Sequence, residues 1–312
     1  MTTLNFITLD VFTTKTYEGN PLAVVFLPPP SSPQLTQSQK QTIAREFNLS
    51  ETIFIHPRTE GSDESSTIDI FTESAELPFA GHPTIGAASW FLHHAPDPTN
   101  TVTSLNMKAG NLPISLRDKE LGIVAANVAH NVHSHKNAYP LGAALKLYPT
   151  LEPYLTSSSS LVLFSVVNGM NQLLVELPSL EALSAVTTAY GGQTADSAYL
   201  DPEWREGLLV TYFYVRDVHD KGLGRNVIRT RSIIGNLEDP ATGSAASGLA
   251  AFLSLKEGRA GQFAYDVVQG VEIGRRSEIG VEIVAGEKSI ESLELKGSAV
   301  KVSEGSIVVP RQ

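Results

Sequence analysis

The stretch EDPATGSAASGLAAFL, residues 238 to 253, limits the fold more than any other part of this chain. From Gly243 onward it holds only small or apolar residues and serine, so a helix formed here has no polar face to turn to water and belongs in an interior. Ahead of it stand Glu238, Asp239 and Pro240. Asp239 is placed to cap the first turn, and Pro240 suits an early helical position. The free N–H groups of such a mouth attract an anion.

A similar box lies in FAGHPTIGAASWFL, residues 79 to 92. Setting His82-Pro83 on Asp239-Pro240 brings Gly86 onto Gly243, Ala87-Ala88 onto Ser244-Ala245, and one apolar run onto the other. Two such boxes, one in each half, predict a duplicated unit whose two helix mouths could face one ligand. The 312 residues are 42% hydrophobic and 18% charged, enough core for about two domains.

A net charge of -10 argues against nucleic acid or an anionic membrane as partner. The absence of cysteine excludes disulfides, thiolate metal sites, thiol nucleophiles and a paired-thiol proton relay. MTTLNFITLDVFTT lacks a basic region followed by a long apolar core, and no window approaches the roughly 20 apolar residues of a membrane span. A cytoplasmic location is the expectation.

Strands are predicted at 4–12 and 21–27, joined as a hairpin through Gly19-Asn20-Pro21. Ser38 to Phe47 has the spacing of an amphipathic helix with Ser38 as its N-cap, and strands follow through Ile55 and at 67–71. After the first box come a loop from Ala95 to Thr99 and short strands at 101–107, 111–117 and 121–126. The polar run Asn127 to Asn137 marks the crossing between halves, at 1–128 and 129–312.

The second half starts with a helix near Gly142 to Lys146 and a hairpin about Asn168-Gly169. A helix over Ser179 to Thr188, a long connection from Tyr190 to Glu206 and a strand over Leu208 to Val215 come next. Asp217 to Asn226 reads as a mobile charged surface loop, ahead of a strand over Val227 to Ile234. Strands at 263–268, 271–273, 279–284, 291–295 and 306–309 close the chain.

Glu51 lies where a helix ends and an apolar strand begins. Position alone fits either a solvated loop acid or a general base whose pKa is raised by partial burial. His82 and Asp239 fit helix caps or groups that handle protons. The cluster His130, His133 and His135 has no cysteine and no neighbouring acid in sequence, so a solvated linker is expected there, not a metal site. His93-His94 suits a favourable charge pair at a helix C-terminus. Ser244 lacks the glycine-flanked elbow of a hydrolase nucleophile.

Five segments together resemble one family: DVFTTKTYEGNPLAVV at 10–25, REFNLSETIFI at 45–55, FTESAELPFAGHPTIGAA at 71–88, EDPATGSAA at 238–246 and QGVEIGRRSEI at 269–279. In that order they resemble the PhzF-like isomerases, which have the diaminopimelate-epimerase fold. The resemblance implies an α+β protein of two similar domains, each a curved, barrel-like mixed sheet wrapped around a central helix. The last strand is expected to pack back on the first domain, and the active site to lie in the cleft between the two.

By the same resemblance Glu51 matches the catalytic glutamate, with His82 and Asp239 holding or relaying protons. Asn20, Gly81, Thr242, Gly243 and Ser244 match positions that bind substrate. The implied activity is a cofactor-independent carbon-to-carbon proton shift on a small carboxylate-bearing metabolite, in a homodimer. The alternative is a binding protein that keeps the pocket without turnover. Thr230 to Ile234 lacks the aromatic and proline that many members carry, so that wall of the pocket differs. A role in a phenazine pathway does not follow from the fold.

Overall fold

In a computed structural model that describes residues 2–58, 64–95 and 101–311, the chain divides into two units, 1–127 with 296–312 and 128–295. The loop read after Ala95, at 96–99, lies outside the described residues.

In unit 1, β1 (Thr3–Val11) and β2 (Asn20–Phe26) form an antiparallel hairpin. α1 (Gln37–Phe47) then leads into β3 (Thr52–Ile55), which runs parallel to β2. β4 (Ser65–Phe71) is antiparallel to β3 and turns back into the short β5 (Glu76–Leu77). After α2 (Gly81–Ser89), β6 (Ser104–Met107) runs parallel to β4, and β7 (Gly110–Asp118) and β8 (Ile123–Asn127) follow as antiparallel strands.

Alternation along β2 assigns its two faces to two helices. Leu22 faces α2, while Val25 joins Ile43 and Ala44 of α1 in a cluster with Leu4, Phe54 and Phe71. Every residue of α2 is buried, as a helix without a polar face requires. α1 is capped by Thr36 and not by Ser38. Thr36 and Gln39 satisfy each other's backbone N–H groups in a capping box that starts the helix two residues earlier than the apolar spacing alone suggests.

Unit 2 contains β9 (His133–Ser134), α3 (Leu141–Leu147), the antiparallel hairpin of β10 (Leu161–Val167) and β11 (Met170–Glu176), and α4 (Leu180–Ser184). β12 (Leu208–Asp220) runs parallel to β11 and antiparallel to β13 (Arg225–Ile234), which turns into β14 (Leu237–Asp239). Beyond α5 (Gly243–Lys256), β15 (Gly261–Gln269) is parallel to β13, and β16 (Ser277–Ala285) is antiparallel to β15. β17 (Ile290–Gly297) precedes β18 (Ala299–Val308), and β18 belongs to unit 1, antiparallel to β1.

Three readings of this half change. Most of Asp217 to Asn226 is strand, because β12 and β13 run on to a turn in which Asp220 accepts from the N–H groups of Gly222 and Leu223 and is gripped by Arg276. Residues 271–273 form a turn, closed by Arg275 N–H on Gly270 O. α4 stops at Ser184, since Arg231 takes the carbonyls of Leu183 and Val186.

The two units repeat one pairing order. A hairpin is followed by a parallel strand, an antiparallel strand, a two- or three-residue return strand, the central helix and a parallel strand. β18 lies on β1 as β9 lies on β10. The repeat corrects the register read from the boxes. α2 starts on Gly81 and α5 on Gly243, so His82 corresponds to Ser244 and Gly86 to Gly248.

Packing gives the reason for that register. A Cβ on Gly86 would sit 2.3 Å from Leu22 Cδ2 of β2, and one on Gly248 would sit 2.5 Å from Gln172 Oε1 of β11. In each unit a glycine at the same helical position lets the helix lie against the second strand. The prolines at 83 and 240, which anchor the sequence match, are not equivalent.

Candidate active site

In unit 1 the predicted site residues lie at the end of α1 and the start of α2. Asn48, in the left-handed conformation, ends α1 and turns the chain so that Glu51 immediately precedes β3. Glu51 Oε2 lies 3.1 Å from Nδ1 of His82, the second residue of α2. The Glu51 side chain is 18% exposed and that of His82 only 4%.

Burial pushes the Glu51 carboxyl up, but the His82 charge and the hydrogen bonds from His82 and Ser50 outweigh it. The net effect holds Glu51 below the ordinary glutamate value of 4.5. A base with a raised pKa was the expectation, and the ion pair with His82 overturns it. His82 Nε2, the other ring nitrogen, is buried without a hydrogen-bond partner among the described residues. It is the atom left to meet a ligand. Asn20, buried at the start of β2, accepts a hydrogen bond from Ser50 Oγ at 3.4 Å, beside Glu51. Gly81 opens α2, whose mouth carries no side-chain cap among the described residues.

Unit 2 supplies the second group of predicted residues. Asp239 ends β14 and does not cap α5, because Thr242 occupies the cap position. Asp239 Oδ2 accepts from Thr242 Oγ1 at 2.6 Å and Oδ1 from Ala241 N–H at 3.4 Å, in a loop that also keeps Pro240 outside the helix. Thr242 points its hydroxyl back to Asp239, so the first turn of α5, with Gly243 and Ser244, has no side-chain cap among the described residues. An uncapped mouth is suited to an anion.

Gln269 and Tyr212 have no counterpart in the sequence reading. Gln269 Oε1 accepts from Thr242 N–H at 3.2 Å and from Tyr212 OH at 2.9 Å. Its Nε2 donates to Asp239 O at 2.7 Å and to Thr242 Oγ1 at 3.1 Å. Both side chains are completely buried, and burial pushes the Tyr212 phenol far above its usual range. The one available signal was that Gln269 opens the segment QGVEIGRRSEI, which says nothing about what a glutamine there would touch.

The histidines outside this site also differ from expectation. His133 and His135 are not in a solvated linker, because Asp201, distant in sequence, accepts from His133 Nε2 at 2.8 Å and donates its N–H to His135 Nδ1 at 3.0 Å. Their donor atoms and a carboxylate oxygen of Asp201 lie within 4.8 Å of one another. However, His135 Nε2 is engaged with Ser165 Oγ at 2.8 Å, and the His133 ring stacks on Trp204 at 4.6 Å. Both nitrogens of His135 are therefore spent on protein partners, which makes the cluster a structural post. His130 bonds the carbonyls of Val128 and Ile290. His94 is held below the ordinary histidine range by burial, opposed by the Ala299 carbonyl and helped by His93 and Lys301, so His93-His94 is not a charged pair.

The model of the phenazine biosynthesis-like protein family matches residues 9–305. The trans-2,3-dihydro-3-hydroxyanthranilate isomerase of Pseudomonas fluorescens is 32% identical over 320 residues, spanning 98% of this chain and 99% of that protein. The phenazine biosynthesis protein of the PhzF family from Bacillus anthracis superposes with a TM-score of 0.75 at 21% identity, over 99% of this chain and 100% of that one. A probable proline racemase from Agrobacterium radiobacter K84 superposes at 0.62 and 13% identity, over 98% and 93%.

The fold is thus the two-unit α+β fold of the epimerases and racemases, and the protein is an enzyme of the isomerase class. The chain belongs to the phenazine biosynthesis-like family. Among its described residues no helix is long and apolar enough to cross a membrane.

Proposed function

We propose that this enzyme moves a proton from one carbon to another on a small carboxylate-bearing metabolite, using side chains alone, with Glu51 as general acid and base. The observation that carries this reading is the buried Glu51–His82 pair with its unpartnered Nε2. Held below 4.5, Glu51 is a carboxylate at neutral pH and starts the reaction as a base. It takes a proton from carbon, the electron pair moves through an adjacent unsaturation toward a second carbon, and Glu51 returns the proton there. The step changes no oxidation state.

In this reading His82 Nε2 meets the charge that develops on the substrate, a contribution of preorganised polarity. Asp239 supports proton handling, and Asn20, Gly81, Thr242, Gly243 and Ser244 contact the substrate. N–H groups at a helix mouth favour its carboxylate by about 0.3 to 2 kcal/mol. A homodimer and the cytoplasm are the proposed assembly and location.

The test is incubation in heavy water with small cyclic and amino carboxylic acids, headed by trans-2,3-dihydro-3-hydroxyanthranilate, the compound named for the relative. NMR then follows deuterium entering at carbon. At least one acid is expected to incorporate deuterium, and E51Q to lose about 10²- to 10⁴-fold of that rate. Unchanged exchange in E51Q removes Glu51 from the role of base. Binding of an acid without exchange by the wild type replaces the enzyme reading with that of a binding protein.

A further inference from the structure

We infer that Gln269 is a positioning residue for Asp239, acting through the Thr242 hydroxyl. This inference rests on the proposed role of Asp239. Its basis is that the direction of every proton in the network is determined. Thr242 N–H can only donate, so the Gln269 atom facing it is the oxygen, Oε1. That oxygen also receives the Tyr212 hydroxyl. The amide nitrogen is thereby turned toward Asp239 O and Thr242 Oγ1 and donates to both.

Thr242 Oγ1 already accepts from Gln269, so its own proton goes to Asp239 Oδ2, 2.6 Å away. A hydroxyl normally turns to suit its surroundings, and this one has a single direction. Tyr212, itself within 3.1 Å of Thr230 Oγ1, closes the far end of the chain inside the sheet. The consequence is a carboxylate that receives a hydrogen bond from Thr242 at all times and presents a constant orientation at the mouth of α5. Rotating the Gln269 amide would set N–H against N–H at Thr242 and free the hydroxyl to turn away.

Two measurements on the full-length chain test this, one of which needs no substrate. The first follows the Asp239 carboxyl carbon by NMR in protein labelled with 13C-aspartate and assigned with D239N. In Q269M, of similar volume but without the amide, its titration midpoint is expected to rise by about half a pH unit or more, with Y212F giving a smaller rise in the same direction. Midpoints equal to wild type in both variants would overturn the inference, whether or not a turnover substrate exists. If Q269M does not fold, Y212F decides alone.

The second is a double-mutant cycle on any acid that the wild type converts. Q269M is expected to lower kcat about 10- to 100-fold with little change in KM, and T242V, at a residue also proposed to contact the substrate, to lower kcat at least as much, as loss of a hydrogen bond to a charged group implies. Together they should be no worse than T242V alone, while T242S should keep most activity. Losses that multiply would show that Gln269 merely supports the fold. Failure of the wild type to exchange any acid counts against the proposed reaction and leaves the NMR result to stand on its own.

Discussion

Units 1 and 2 use one topology to make two unlike helix mouths. At α2 an ion pair, Glu51 with His82, sits at the first turn, and one ring nitrogen is left without a protein partner. At α5 the equivalent of His82 is Ser244, and the carboxylate nearby is managed by a hydroxyl and an amide. The lesson is that duplication preserves what packing demands, the mouth and the glycine within each helix, while the titratable groups diverge. Glu51 and Asp239 come from different places in the repeat, since Asp239 corresponds to Leu77 at the end of β5.

The same contrast appears where α1 and α4 are fastened. Arg231 on β13 donates to Glu238 through Nε at 2.8 Å and Nη2 at 2.5 Å, and its Nη1 donates to the carbonyls of Leu183 and Val186 at the end of α4. The equivalent position on β4 is Asp69, which holds Lys40 of α1 at 2.5 Å and His56 at 2.8 Å. Breaking these fasteners should give the largest effects. R231A is expected to lose about 3 to 5 kcal/mol in denaturant unfolding, because Glu238 is left buried and unpaired. D69A should lose about 1 to 3 kcal/mol, since its partner His56 is 34% exposed and can return to water, although Lys40 is nearly as buried as Glu238. Equal losses would mean that the two pins do the same job.

A second pair of variants tests the repeat register. G86A should cost about 1 to 3 kcal/mol, because the new methyl group meets the branched end of Leu22, and in an L22A background, itself destabilised, the added cost of G86A should shrink. G248A should cost less, because the neighbour is the movable end of Gln172. Thermal melts of these variants would decide, and a G248A penalty as large as that of G86A would show that Gln172 cannot move.

The smallest effect concerns pH. Glu51 and Asp69 are both held below their ordinary values in the folded chain, Asp69 because His56 and Lys40 outweigh its burial. Each therefore contributes stability that is complete above the unfolded-state pKa and is lost as pH falls through the lower folded one. E51Q lacks the Glu51 share, so its stability should fall less steeply than that of the wild type below about pH 4.5. Parallel curves would mean that the His82 pair does not lower the Glu51 pKa.

Much of the site was legible in the chain because its pieces are local. The glycine before His82 and the small-residue run after Thr242 announce two buried helices, and the five quoted segments carry the family. Asp239 as a helix cap was a fair inference from spacing, but spacing cannot show that Thr242 would turn its hydroxyl backward. Glu51 and His82 are separated by three strands, so their pairing and its effect on the Glu51 pKa exist only after folding. Asp201 was invisible to the histidines for the same reason. Gln269 is the extreme case, a neutral side chain whose four contacts come from Tyr212, Asp239 and Thr242.

The pairing of β18 with β1 has a temporal meaning. During synthesis the whole of unit 2 emerges before the partner of β1 does, and β1 must wait with one edge uncovered while residues 128–295 are made and can fold. Edges of that kind are where chains aggregate or pair with neighbours, and contacts between distant residues form slowly. The vulnerable period of this protein's birth thus ends only when its last strand is delivered.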